Sequence, residues 1–197
     1  TGCGAVQNVT ILPQVCVGQC YPGRNGKYNL CEDLKVMGFQ TTGAASHYFA
    51  VDAAKVTLLP QDMGHDEGAM IEPLAVAVHA VKQAGDVAGA RIAVLGAGPI
   101  GILVAQAAKG LGARQVMITD VSALRLEKAK ECGVDFCVDT REKDFGEAMT
   151  ESFGPDKADL IYDGAGNNIT MGQAVRHARK GSTITLVAVF GGLGQNE

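Results

Sequence analysis

The sequence predicts an α/β protein: a doubly wound parallel sheet preceded by a smaller region of irregular β structure. Three observations lead there. The composition changes near residue 70, from short apolar pieces broken by Gly, Asn and Pro to longer apolar runs. Beyond that point strand-like and helix-like stretches alternate, and each helix-like stretch closes at or near a glycine. We therefore divide the chain into residues 1–69 and 70–197.

In the first region "VTILP" and "YFAV" have the apolar character of small strands between loops. In the second, a helical run starts at Glu72, and five strands are expected at "RIAVL", "QVMIT", "DFCV", "ADLIY" and "STITLVAV". The helices between them are "GILVAQAAKGLG", "SALRLEKAKECG", "KDFGEAMTESFG" and "NNITMGQAVRHARKG". Single helices between successive strands are the crossovers of a parallel sheet.

Composition excludes some classes of function. Hydrophobic residues make up 47% and charged residues 19%, which suits a globular domain. A formal charge of −4 provides no basic face for nucleic acid. No apolar run reaches the ~20 residues of a membrane span, and no signal peptide pattern opens the chain. Six scattered cysteines do not make a disulfide scaffold at 197 residues, so a reducing, cytoplasmic setting is expected. The first residue is Thr1, so a natural start upstream is expected.

The most informative stretch is "VLGAGPIG", residues 94–101. Gly96, Gly98 and Gly101 follow a predicted strand and open a predicted helix. In a G-x-G-x-x-G turn the first glycine allows the tight bend, the second lets backbone approach a pyrophosphate, and the third lets helix and strand pack closely. Gly96, Gly98, Pro99, Ile100 and Gly101 are accordingly expected at a dinucleotide, with the helix amino terminus facing its phosphates. Asp120 ends the next strand 19 positions after Gly101, where a carboxylate meets the adenosine ribose hydroxyls. It would repel a 2′-phosphate, so NAD is favoured over NADP. Arg125 either joins the adenine and phosphate site or is a solvated helix residue.

With these motifs in order, the chain resembles a known family. "CEDLKVMG", "EPLAVAVHAV", "VLGAGPIGILVAQAAKGLGA" and "DVSALRLEKAKECG" are similar to the zinc-dependent medium-chain alcohol dehydrogenases, most of all their sorbitol (L-iditol) dehydrogenase branch. The resemblance implies a Rossmann domain with five of six strands visible, preceded by part of a GroES-like catalytic domain. It also implies NAD-dependent oxidation of a secondary alcohol or polyol, zinc as Lewis acid and a homo-oligomer. Under it, Glu72 is the acidic residue at the catalytic zinc or its water, Ala165 and Gly166 lie near the nicotinamide ribose, and Val187, Ala188 and Val189 lie by the carboxamide. The chain contains no His-Glu pair of the kind that holds the family's catalytic zinc, and it looks cut at both ends, so the isolated chain is expected to be inactive.

The family's structural zinc lobe has the spacing C-x2-C-x2-C-x7-C, which falls here on Val17, Cys20, Gly23 and Cys31. Cys16 stands one place before Val17, so Cys16, Cys20 and Cys31 form a remnant lobe that leaves a tetrahedral site open unless Cys3 folds back. His47, His65, His79 and His177 are read as surface or packing residues, and Cys132 and Cys137 as buried small hydrophobes. Two further readings stand beside the dehydrogenase: a nucleotide-binding module without catalysis, and a zinc-independent NADPH reductase, which Asp120 and Glu72 argue against.

Overall fold

A computed structural model describes residues 7–190, in two compact units that meet after Glu72. Cys3, which would complete the cysteine lobe only if the N-terminal segment folds back, lies outside the described residues.

The first unit carries two small antiparallel ladders. Strand β1 (Val9–Ile11) pairs with β4 (Val56–Leu58), and β2 (Gln14–Val15) pairs with β3 (Lys35–Val36). Short helices α1 (Tyr21–Arg24) and α2 (His65–Ala69) complete it. The strand expected at "YFAV" is absent: residues 48–51 are irregular and Tyr48 is almost wholly exposed. Among the described residues no strand pairs with this stretch. Instead Asp52 accepts a hydrogen bond from the Ala54 amide and turns the chain into β4, whose partner is the "VTI" of β1.

Helix α3 (Ile71–Gln83) leads into the second unit, where the expected alternation is found. Five parallel strands, β5 (Arg91–Leu95), β6 (Gln115–Asp120), β7 (Phe136–Asp139), β8 (Leu160–Asp163) and β9 (Thr183–Leu186), lie in the order β7-β6-β5-β8-β9. Between them run α4 (Pro99–Gly110), α5 (Ala123–Glu131), α6 (Phe145–Phe153) and α7 (Asn168–His177).

Both sheet faces are covered, as near-continuous apolar strands require. Ile92, Val94, Val116, Ile118 and Tyr162 pack with α3 and α4, while Ala93, Leu95, Met117 and Ile161 pack with α6 and α7. Tyr162 is fully buried, and its hydroxyl donates to the Val81 carbonyl at 3.2 Å, tying β8 to α3. Burial pushes its pKa up to about 12. Strand β9 is shorter than the expected "STITLVAV". The amides of Val187 and Ala188 both donate to the Asp163 carbonyl, which ends the ladder at Leu186. Cys132 and Cys137 are half-buried against the core rather than fully enclosed.

The chain runs outward from β5 to β7, then crosses back to β8. That reversal places a switch point at the carboxyl ends of β5 and β8, where ligands gather in such sheets. The closeness of α4 to β5 depends on Gly101, where a β-carbon would lie 1.9 Å from the Gly96 carbonyl oxygen. Gly101→Ala is expected to lower unfolding stability by about 3 kcal/mol in urea titrations. Gly110→Ala, in open space at the other end of α4, should be neutral or stabilising by up to about 1 kcal/mol. Equal stability of the two variants would contradict the close approach.

Candidate functional site

The turn after β5 bends at Gly96, whose φ of +95° favours glycine, and a β-carbon there would meet Ala165 at 3.1 Å. Gly98 is the N-cap of α4 and Pro99 opens it; no side chain caps the helix. By contrast, α6 is capped by Asp144 and α7 by Asn167, each accepting two backbone amides. The first-turn amides of α4, those of Ile100 and Gly101, therefore have no internal acceptor, and the partial positive charge of the helix end is left for an anion.

Asp120 closes β6 and is 9% exposed. Its Oδ2 accepts from the Ala97 amide at 2.8 Å, and its Oδ1 accepts from the amides of Val121 and Ser122 at 2.8 and 2.9 Å. Three of a carboxylate's four acceptor positions are thus filled by backbone, leaving one on Oδ2. The Arg125 guanidinium stands 3.7 Å from that oxygen and is largely exposed. The carboxylate expected at a ribose thus keeps one acceptor position, on Oδ2, beside the cavity.

Across the switch point, Asp163 at the end of β8 is fully buried. Its Oδ1 accepts from the amides of Ala165 and Gly166 at 3.0 and 3.1 Å, and the Thr170 hydroxyl lies 3.1 Å from both carboxylate oxygens. Gly166, with φ of +68°, packs so closely on the segment after β9 that a β-carbon would lie 2.7 Å from Ala188 Cβ and 3.1 Å from the Val189 carbonyl. Gly96 and Ala165 are therefore brought together, as are Gly166, Ala188 and Val189.

A cavity of about 300 Å³ lies between these two loops. Gly96, Gly98, Asp120, Arg125 and Ala165 line it, together with Thr140, Asn167, Thr170 and Gln173, which the sequence reading missed. The one available signal was "NNIT" after β8: Asn167 and Thr170 form a capping box, a spacing that marks a helix start. A wider cleft of about 700 Å³ runs past Asp144, Lys157 and His177, but its helix terminus is already occupied by the Asp144 carboxylate. His177 there stacks edge-on against Phe145, a packing role.

In the first unit Cys16, Cys20 and Cys31 converge, with sulfurs all within 4.8 Å of one another and Cys20 3.5 Å from Cys31. Cys16 reaches the cluster although it is displaced by one residue, while Val17 is exposed. A hydrogen bond from the Cys16 thiol, backed by the Val17 and Asp33 amides, lowers the Cys31 pKa to about 7 against its burial, and the same contact raises that of Cys16. Among the described residues this is the one group of three His, Cys, Asp or Glu side chains able to converge on an ion. Glu72, in the first turn of α3, is not part of such a group, so it does not by itself fit a catalytic zinc.

Residues 99–196 match the family model of zinc-binding dehydrogenases. The chain is 32% identical to sorbitol dehydrogenase of Bacillus subtilis over 92% of its own length and 52% of that protein. It is 35% identical to L-galactonate-5-dehydrogenase of Escherichia coli over 94% of itself and 54% of that relative. The chain thus spans about half the length of the curated relatives it matches. Among solved structures, a zinc-binding dehydrogenase from Sinorhizobium meliloti bound to NADP superposes with a TM-score of 0.91 at 30% identity, covering 97% of this chain and 56% of the other. An alcohol dehydrogenase from Escherichia coli complexed with NADH gives 0.85 at 32% identity, covering 91% and 53%. No helix among the described residues is long and apolar enough to cross a membrane.

Because Asp120 holds the glycine turn as well as facing the cavity, Asp120→Ala is expected to lower stability by about 2 kcal/mol with no ligand present. Thr170→Val should cost about 1 kcal/mol by weakening the Asp163 anchor. Urea midpoints check both; an unchanged midpoint for Asp120→Ala would mean that the carboxylate serves ligand alone.

Proposed function

Because this chain belongs to the zinc-type alcohol dehydrogenase family, we propose that it forms the nucleotide-binding half of an oxidoreductase that moves hydride between a secondary alcohol or polyol and NAD. The observation that carries this reading is the pairing of an uncapped α4 terminus with a buried carboxylate that has one acceptor position left.

Each end of the cofactor then has its partners. The pyrophosphate sits on the Gly98–Gly101 turn, where backbone amides donate and no β-carbon intervenes at Gly98. One adenosine ribose hydroxyl donates to Asp120 Oδ2, while Arg125 flanks the same ribose and the adenine. A 2′-phosphate in that place would bring a dianion against a buried carboxylate, and the single guanidinium of Arg125 is already drawn to Asp120. This favours NAD over the NADPH of a reductase. The nicotinamide lies toward Ala165 and Gly166, with Val187–Val189 by its carboxamide; these loops are held in place by Asp163 before any ligand arrives. Such preorganisation serves hydride transfer, which needs the donor and acceptor carbons about 3–3.5 Å apart.

Glu72 is the one residue of this chain that the family resemblance connects to the catalytic metal, and a single carboxylate is not a ligand set. We assign no step of alcohol activation to residues of this chain. The reading includes a small alcohol or polyol as substrate class, a homo-oligomeric assembly and a cytoplasmic setting. The division of the chain into a partial catalytic domain and a Rossmann domain belongs to the same proposal.

Isothermal titration calorimetry of the 197-residue chain is expected to give NADH at least about tenfold tighter than NADPH. Asp120→Ser, compared with the parent protein under conditions where both are folded, should narrow that gap. Equal affinity for the two cofactors would defeat the assignment of Asp120.

The chain with added zinc and a polyol panel is expected to give no rise in NADH absorbance. Alcohol-dependent NAD reduction that requires zinc and disappears in Glu72→Ala would overturn the view that Glu72 alone does not build the metal site. If NADH binds and no turnover follows even when the chain is supplied within a full-length relative's framework, the non-catalytic binding module is the better reading.

A further inference from the structure

The cysteine lobe of the first unit does not fit the four-coordinate ion that the resemblance implies. In a tetrahedral site with zinc–sulfur bonds of about 2.3 Å, the sulfurs stand about 3.8 Å apart. Cys16, Cys20 and Cys31, within 4.8 Å of one another, can supply three such corners. The fourth falls on Gly23, buried in α1. That position is more than empty: a β-carbon there would lie 3.0 Å from Gly18 Cα and 3.2 Å from Cys20 Sγ, so the Gly18–Gly23 turn has closed over the space a fourth ligand's stem would occupy. What remains is a triangle of thiols with no built fourth corner among the described residues.

We propose that Cys16, Cys20 and Cys31 form a three-sulfur site for a trivalent thiophilic ion, arsenic(III), in preference to zinc. Soft thiolates select soft ions. Arsenic(III) takes three sulfurs in a pyramid and points its lone pair where a fourth ligand would stand, so the closed Gly18–Gly23 turn costs it nothing in coordination. Charge favours it as well. Three thiolates on arsenic(III) make a neutral group, whereas three on zinc leave a net negative charge beside the buried Cys31. Loading is redox-neutral: arsenous acid exchanges its three hydroxyl groups for three thiols, three arsenic–sulfur bonds form, and three waters leave carrying the thiol protons. Arsenic remains trivalent throughout.

The test is intact-mass spectrometry of the full chain after incubation with arsenite under reducing conditions. One adduct is expected, heavier by one arsenic less three hydrogens. Each of Cys16→Ser, Cys20→Ser and Cys31→Ser should weaken arsenite capture roughly a hundredfold, as loss of one arm of a chelate does. Cys132→Ser and Cys137→Ser should leave it unchanged. Circular dichroism reports whether each variant folds. If a lobe variant does not, arsenic X-ray absorption on the unmodified protein decides, with three sulfur neighbours expected. Two sulfur neighbours, an adduct that survives all three lobe substitutions, or no adduct would overturn the proposal. So would one equivalent of zinc retained through dialysis and lost in Cys3→Ser, since that would mean a fourth sulfur completes a tetrahedral site.

Discussion

The carboxyl edge of the parallel sheet is organised around how closely α4 approaches the end of β5. Gly101 runs against the Gly96 carbonyl with no room for a β-carbon, and a β-carbon on Gly164, in the neighbouring β8 loop, would come within 3.6 Å of the Gly101 Cα. Three glycines from two loops therefore share one contact. Adding a methyl group to the helix would push it off the strand, move the Gly98 amide and its neighbours, and open the gap that Ala165 fills against Gly96. Close-packed interiors do not absorb such displacements smoothly. The geometry offered to a pyrophosphate is thus a by-product of packing, set before any ligand is present.

Two buried carboxylates finish what the glycines begin. Asp120 and Asp163 end the strands on either side of β5 at the same edge, and each turns the chain after its strand by accepting backbone amides. The acidic residues at the opposite edge behave differently. Asp135 takes Lys109 and Asp159 takes Arg179, each also accepting a strand amide and each partly exposed. Those pairs neutralise themselves. At the carboxyl edge the charge of Asp163 is answered by amides and a hydroxyl, and that of Asp120 by amides with Arg125 at longer range. One edge of the sheet is closed off electrostatically, while the other keeps an acceptor and a set of donors available.

Most of this was legible in the sequence because strand–helix alternation and glycine spacing are local signals. The five strands, the glycine turn and the position of Asp120 all follow from short-range pattern, and the structure places them where the pattern does. The parts that were not legible depend on partners distant in the chain. "YFAV" looks apolar enough for a strand, but β1 already has its partner in β4, so Tyr48 is left in solvent. The end of β9 depends on the carbonyl of Asp163, one crossover earlier in the chain, to which two successive amides turn. Thr170 becomes a wall of the cavity only because Asp163 is buried beneath it. Cys16 appears out of register by counting, yet the turn at Gly18, whose amide donates to its sulfur, swings it into the lobe.

The central claim is that the switch point, preformed by glycine contacts and Asp120, is where this chain takes up NAD. Amide chemical-shift mapping by ¹⁵N NMR of the chain with and without NADH tests it most directly. The account predicts shifts confined to Gly96–Gly101, Val121, Ser122 and the Ala165–Gly166 loop, with the Ala97 amide perturbed through its shared Asp120 carboxylate. Shifts centred instead on Asp144, Lys157 and His177, or no shifts at saturating NADH, would contradict it.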